Sequence, residues 1–320
     1  MREHSIIPLN AIQAARTRLA ATILRTPLVR LNFPGTPCQV FLKLENLQPV
    51  GSFKMRGAGN AILTAERDRL KDGVWTVSAG NMAQGVAWYA RSLGLPCQVI
   101  VPDDAPQTKL EAIRSLGARI VKKPFSEYQA IQKSHDCEMM PGALIHPFGD
   151  DAVMAGNGTL GLEILEDLPE VDAIIIPYGG GGLSCGIASA VRALRPKVKL
   201  YAAEVSTAAP FAASVAAGRP VEVPFTPSFV SGIGGPAVFP EMWELSCTLL
   251  DGSLVVELSE IAEAVRILCS RNHVVAEGAG AVALAAALSG KIQATTVVCI
   301  VSGGNMDTQK LVQIMQGGVP

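Results

Sequence analysis

The sequence predicts an α/β fold of open, mostly parallel sheets, and three observations carry that expectation. Short β-branched runs alternate with helix-like patterns along most of the 320 residues. The strand-like runs are apolar nearly throughout, as strands covered on both faces are, rather than alternating apolar and polar. The most polar and glycine-rich loops follow those strands, which is where open α/β sheets bind their ligands.

In chain order, "VWTVSA" reads as a strand feeding the helix-like "NMAQGVAWYARSLG", and "CQVIVP" as a strand feeding "PQTKLEAIRSLG". "ARIVKKP" then leads into the helix-like "FSEYQAIQKSHDCEM". Farther on, "DAIIIPY", "VKLYAAEV" and "TTVVCIVS" repeat the strand texture between helices. Ala173 to Val191 is an uncharged run of 19 residues, long enough to span a bilayer. A proline and four consecutive glycines interrupt it, so it reads as a strand, a turn and the helix "LSCGIASAVRAL". Residues 50–145 carry strands and helices of their own. The expected organisation is therefore a large domain from 1–49 and 146–320 and a small domain from 50–145.

Composition excludes several classes of partner. Charged residues are 17% of the chain and the net charge is −1, so there is no electrostatic footprint for nucleic acid or anionic lipid. Cys38, Cys97, Cys137, Cys185, Cys247, Cys269 and Cys299 are dispersed, without a CxxC pair, the pattern of reduced thiols inside a cell. The first 25 residues lack the apolar run and cleavage signal of an export leader. A cytoplasmic protein that binds neither nucleic acid nor membrane is expected. His4, His135, His146 and His273 are scattered, which fits packing, surface or helix-end roles better than a zinc cluster or a hydrolase triad.

Three loops carry the chemistry. "GGGGL", Gly179, Gly180, Gly181, Gly182 and Leu183, follows a strand and opens a helix. Consecutive glycines let backbone N–H groups converge with no Cβ in the way, and the helix start adds its positive end, a cradle for one phosphate. The pattern is neither GxGxxG nor GxxxxGK[ST]. A tight turn built only for close packing would need fewer glycines, and Cys185 just beyond reads as a packing residue.

The second and third loops supply polar groups, and a lysine supplies the amine. "SAGNMAQG" places Ser78, Ala79, Gly80, Asn81 and Met82 at a helix start, where N–H groups and the Ser78 and Asn81 side chains can take a substrate carboxylate and an oxygen. An ordinary helix cap is the alternative there. In "SGGNMD", Ser302 leaves an apolar strand with a hydroxyl free for a ring nitrogen. "GSFKMRGAGN" sets Lys54 between Phe53 and Met55 among glycines, a confined amine suited to a carbonyl. An amine, a single-phosphate cradle and polar groups for a planar ligand point to pyridoxal 5'-phosphate.

Together "GSFKMRGAGN", "SAGNMAQGVA", "GGGGL", "EGAGA" and "SGGN" resemble the serine/threonine dehydratase and serine racemase branch of the fold type II pyridoxal-phosphate enzymes, in the tryptophan synthase beta-like superfamily. The resemblance runs in order from "RTPLVRL" to "SGGNMD". It implies two open parallel-sheet domains, the large one holding the cofactor and the small one mobile and substrate-binding. It implies that Lys54 carries the cofactor and takes the substrate Cα proton, with Phe53 packed beside the ring. Asn81 then meets the phenolic oxygen, Gly179 to Leu183 hold the phosphate and Ser302 faces the pyridine nitrogen. A serine there, unlike a carboxylate, does not favour ring protonation, so loss of a β-substituent is the expected outcome. The implied activity is dehydration of a 3-hydroxy amino acid, threonine, serine or a bulkier analogue such as phenylserine or hydroxyaspartate, to a 2-oxo acid and ammonia. β-Replacement of the sulfhydrylase type, racemisation and a non-catalytic cofactor binder are the alternatives.

Departures from the family sharpen these expectations. Racemising members resemble one another in a serine where this chain has Ala79, so racemisation is not expected as the main activity. Met82 stands where many relatives have a histidine, and its thioether either contacts a bulky substrate or simply packs. Glu204 and the backbone of Ala208 match two positions of the racemase-like cation site, but Pro210 replaces the second acidic ligand. A tight magnesium site is therefore not expected, and a monovalent cation or a water-filled remnant is the milder expectation. Glu277 in "AEGAGA" is placed near the cofactor rim by the same resemblance. The family often forms homodimers, and the composition permits one.

Overall fold

Apolar strands that need cover on both faces condense here into two sheets. The structure, a computed structural model, describes residues 4–320. Helix α1 (Leu9–Leu19) precedes β1 (Leu28–Arg30) and β2 (Gln39–Leu44). Next come α2 (Lys54–Thr64), α3 (Arg67–Leu70), β3 (Val74–Val77), α4 (Asn81–Leu93), β4 (Cys97–Pro102), α5 (Gln107–Ser115), β5 (Arg119–Lys123), α6 (Phe125–Ser134) and β6 (Ala143–Leu144). The chain continues through α7 (Asp151–Asp167), β7 (Ala173–Pro177), α8 (Gly182–Leu194), β8 (Lys199–Val205), α9 (Pro210–Ala217) and α10 (Pro240–Leu249). It ends with β9 (Gly252–Val256), α11 (Leu258–Asn272), α12 (Gly278–Leu288), β10 (Thr296–Val301) and α13 (Thr308–Met315).

One sheet has six strands in the order β1-β2-β10-β7-β8-β9, the other four in the order β5-β4-β3-β6. Every pairing is parallel except β1 with β2. The fold is thus α/β with two parallel-sheet domains, as the texture of the strands predicts. Strands β7 and β10 are buried along their whole length, which explains why their sequences show no alternation. The uncharged run Ala173 to Val191 divides into β7 and α8 around the glycines. Among the described residues no helix is long and apolar enough to cross a membrane.

The structure also corrects one local expectation. The helix read through "CEM" stops at Ser134, because His135 takes a left-handed φ of 57° and ends it. Strands β1, β2, β6 and β9 and helices α1, α2, α3, α7, α9, α10, α11, α12 and α13 went unread. Helix α12, "GAGAVALAAAL", is buried on nearly all sides and so lacks the polar face that would mark a helix.

Helix α2 starts at Lys54 and is fixed to the six-stranded unit by a buried ionic cluster. The fully buried Arg56 guanidinium donates to Glu45 at 2.8 Å and to Glu163 at 2.6 Å, while Lys43 Nζ lies 2.7 Å from Glu163. Alongside, α7 approaches so closely that a Cβ on Gly156 would collide with the Arg56 carbonyl. The ionic cluster thus ties the first turn of α2 to the large sheet, although Met55 of that turn and the later turns pack with α4 in the core of the small one.

Candidate active site

Lys54 is the first residue of α2, and its amine donates to the Pro147 carbonyl at 2.6 Å. Burial pushes it down to about 8, well below an ordinary lysine. The Phe53 ring lies beside it, 5.1 Å from centroid to Nζ, and the Phe53 N–H donates to the Ser302 carbonyl at 3.0 Å. The lysine and the end of β10 are thus tied together although they are far apart in sequence.

The glycine turn packs on the segment that holds the lysine's partner. A Cβ on Gly180 would run into the Phe148 ring, and one on Gly182 would meet Phe148 backbone at 2.7 Å. Gly181 has a φ of 86°, the left-handed region that glycine occupies without penalty. At Gly179 an added Cβ would make only ordinary contact, 3.5 Å from the Ile233 Cα. Leu183 is buried in the first turn of α8, a helix of 13 residues whose leading N–H groups lack partners within the helix.

The "SAGNM" loop turns into α4. The Ser78 hydroxyl accepts from the Gly80 N–H at 3.1 Å, Ala79 is partly buried, and Gly80 caps the helix. Asn81 reaches across to the other sheet: its Nδ2 donates to Glu277 at 2.6 Å, and its Oδ1 accepts from Asn305 at 2.8 Å. Burial raises Glu277 to about 7, and the Asn81 hydrogen bond and the Lys109 charge offset only part of that. Met82 turns the other way, 1% exposed in the core of the four-stranded unit, where packing is what its side chain does.

Ser302 is buried at the end of β10, its hydroxyl 3.4 Å from the Ala279 carbonyl. Glu204 accepts from the N–H groups of Phe211 at 2.9 Å and Ala212 at 2.7 Å and from the Ser253 hydroxyl at 2.6 Å. It thus caps α9, a helix Pro210 begins. Ala208 is buried and lines a cavity of about 130 Å³ with Thr207 and Ser231. Among the described residues no three His, Cys, Asp or Glu side chains gather as metal ligands.

The residues around Lys54 fit pyridoxal 5'-phosphate. The amine suits its carbonyl, the glycine turn at a helix start suits its phosphate, and Ser302 offers an uncharged hydroxyl. The Ser52 hydroxyl, two residues before Lys54, is buried with no partner among the described residues. Sequence reading missed Pro147 and Lys109, and it quoted Asn305 only as part of "SGGNMD". The Pro147 contact uses a backbone carbonyl 93 residues from Lys54, for which no side-chain signal exists.

Comparison with known proteins agrees with this chemistry. The family model described as "Pyridoxal-phosphate dependent enzyme" matches residues 19–303. An L-threonine ammonia-lyase of Geobacter sulfurreducens is 38% identical over 321 residues, covering 98% of this chain and 79% of that protein. A catabolic L-threonine dehydratase of Staphylococcus aureus is 35% identical over 323 residues, covering 98% and 93%. The structure of maize serine racemase superposes with a TM-score of 0.88 at 32% identity, covering 98% of each chain. The chain therefore belongs to the fold type II pyridoxal-phosphate-dependent enzymes, in the threonine dehydratase and serine racemase branch, which act on small amino acids.

Proposed function

We propose that the protein is a dehydratase, an ammonia-lyase, that converts a 3-hydroxy amino acid such as threonine or serine to a 2-oxo acid and ammonia. The observation that carries this reading is the Lys54 amine, held on the Pro147 carbonyl next to the Phe148 that packs on the glycine turn. The relatives described as L-threonine ammonia-lyase and L-threonine dehydratase support it. Ala79 brings no proton donor to the "SAGNM" loop, which favours elimination over racemisation. The burial of Met82 favours a small substrate over phenylserine.

Bound pyridoxal 5'-phosphate supplies the electron sink for the charge left at the substrate Cα. The N–H groups of Gly179 to Leu183 would hold its phosphate, Asn81 its phenolic oxygen, Phe53 its ring face and Ser302 its nitrogen. The start of α4, with Ser78, Ala79 and Gly80, takes the substrate carboxylate. Lys54 removes the Cα proton, and its lowered pKa leaves a usable fraction unprotonated near neutral pH. Glu277 positions Asn81 through their hydrogen bond. The β-hydroxyl leaves as water, and a water is consumed when the carbon–nitrogen bond is hydrolysed, so the net products are the oxo acid and ammonia. Within residues 50–145, the part beyond the first turn of α2 acts as the moving unit that closes over the substrate, while the ionic cluster around Arg56 keeps Lys54 with the large sheet.

The test is an assay of purified holoenzyme on L- and D-serine, threonine, 3-hydroxyaspartate and 3-phenylserine, scoring oxo acid, ammonia and enantiomer together. Equal amounts of oxo acid and ammonia from L-threonine or L-serine are expected. Enantiomer without oxo acid, or product only after a thiol is added, would replace this reading with racemisation or β-replacement.

A further inference from the structure

The geometry points to His146 as a positioning residue, which closes a tight turn and thereby holds the Pro147 carbonyl on the Lys54 amine. This rests on the reading of Lys54 as the reacting base. The His146 Nδ1 accepts from the Gly149 N–H at 2.8 Å, so the ring bridges the turn formed by residues 146 to 149. The two residues inside that turn both face the site. Pro147 presents its carbonyl to Lys54 at 2.6 Å, and Phe148 packs against the glycines at 180 and 182.

The imidazole is held in one tautomer. With Nδ1 accepting, the proton sits on Nε2, 3.1 Å from the Gln132 carbonyl. Burial pushes the ring down to about 3, the neighbouring His135 adding to the effect, so it stays neutral where an exposed histidine would titrate. Protonated His146 would set an N–H against the Gly149 N–H. His135 stacks on it with centroids 3.8 Å apart and is itself 3.3 Å from Glu241 of α10, while Phe148 meets the ring edge-on at 4.5 Å. His135, His146, Gly149, Asp150, Lys133 and Glu241 also line a cavity of about 870 Å³. The turn thus has Lys54 on one side and cavity space on the other, and loosening it would draw the carbonyl away from the partly exposed amine.

Two substitutions separate the acceptor from the ring. His146→Phe keeps the stack and removes the acceptor, whereas His146→Asn keeps an acceptor near the Nδ1 position and removes the ring. The readout is the titration of Lys54 in cofactor-free full-length protein, from competitive acetylation across pH with mass spectrometry of the Lys54 peptide. The acid limb of kcat/KM in holoenzyme is measured alongside. His146→Phe is expected to shift the Lys54 titration downward by about one pH unit as the ammonium loses the carbonyl that accepts from it, and to lower kcat roughly 10-fold. His146→Asn should leave both near wild type. Should the Phe variant fold poorly by circular dichroism, His146→Gln, which offers a donor toward Gln132 but no acceptor at Nδ1, takes its place with the same expectation. An unmoved titration in the Phe or Gln variant, or an equal shift in the Asn variant, would overturn the proposal. Absence of oxo acid from wild type would remove the dehydratase reading yet leave the Lys54 titration readable.

Discussion

Glu277 and Lys54 are titratable groups whose environments push them toward neutrality from opposite sides. Burial raises Glu277 to about 7, so its folded value lies above its unfolded one and the protonated form favours folding. That contribution is complete below the unfolded value of about 4.3 and is lost as pH rises through about 7. Glu277→Gln, which cannot ionise yet can still accept from Asn81, should therefore flatten this loss. Urea unfolding near pH 5 and near pH 8 should show it more stable than wild type at the higher pH, by up to roughly 3 kcal/mol. Identical pH dependence in both proteins would mean Glu277 titrates normally. For Lys54 the sign reverses: with its value lowered to about 8, the charged form opposes folding at neutral pH. Lys54→Met is expected to cut turnover by about 1,000-fold or more while leaving stability equal or higher. A large fall in melting temperature would show a structural role instead. Lys54 stands out in sequence by its neighbours, whereas Glu277 entered only through the family resemblance of "EGAGA". The partners that tune them were not legible, because the Pro147 carbonyl is 93 residues from Lys54 and Asn81 is 196 residues from Glu277, distances only folding closes.

Helix α2 carries Lys54 at its first turn, and that turn owes its place to Arg56. The guanidinium is fully buried between Glu45 and Glu163, so Arg56→Met would leave Glu45 without its charge partner and Glu163 with only Lys43. Removing one partner from such a cluster costs about 3 to 5 kcal/mol, and denaturant unfolding should show it. A change below about 1 kcal/mol would mean the remaining groups repair the loss, as exposed pairs do. At α9 the Glu204 carboxylate serves two helix N–H groups and a hydroxyl, so Glu204→Ala should destabilise by about 2 kcal/mol whether or not magnesium is added. A dependence on magnesium would give this residue a metal role. Sequence predicted well the elements whose apolar runs are bounded by turns, such as β3, β4, β7 and β10. It failed on α7 and α12, where small residues serve close helix packing and erase the polar stripe, and on β1, whose three residues gain strand character only from β2.

The two sheets meet at the site through few polar contacts. Asn81 reaches Glu277 and Asn305, Lys109 Nζ lies 3.2 Å from the Ser231 hydroxyl, and His135 faces Glu241. Each such contact contributes about 1 kcal/mol, far less than the apolar cores that hold each sheet together. The ionic cluster around Arg56 meanwhile keeps the start of α2 with the large sheet. Motion of the small unit should thus carry α4 and α5 across the start of α2, whose Lys54 carbonyl lies close to Gly85 of α4, while the ionic cluster keeps Lys54 in place. The substrate itself would add the contacts that favour closure, because its carboxylate sits at the start of α4 in the proposed function. Hydrogen exchange of holoenzyme with 2-methylserine, which has no Cα hydrogen for Lys54 to take, tests this without turnover. Amides of Asn81–Leu93 and Gln107–Ser115 are expected to slow by about threefold or more, while those of β7 and β10, already buried on both faces, should not change. Equal slowing in β7 and β10 would mean the ligand stabilises the molecule as one body. No slowing in α4 would place the substrate carboxylate elsewhere, since a ligand bound at that helix start must restrain the N–H groups that hold it.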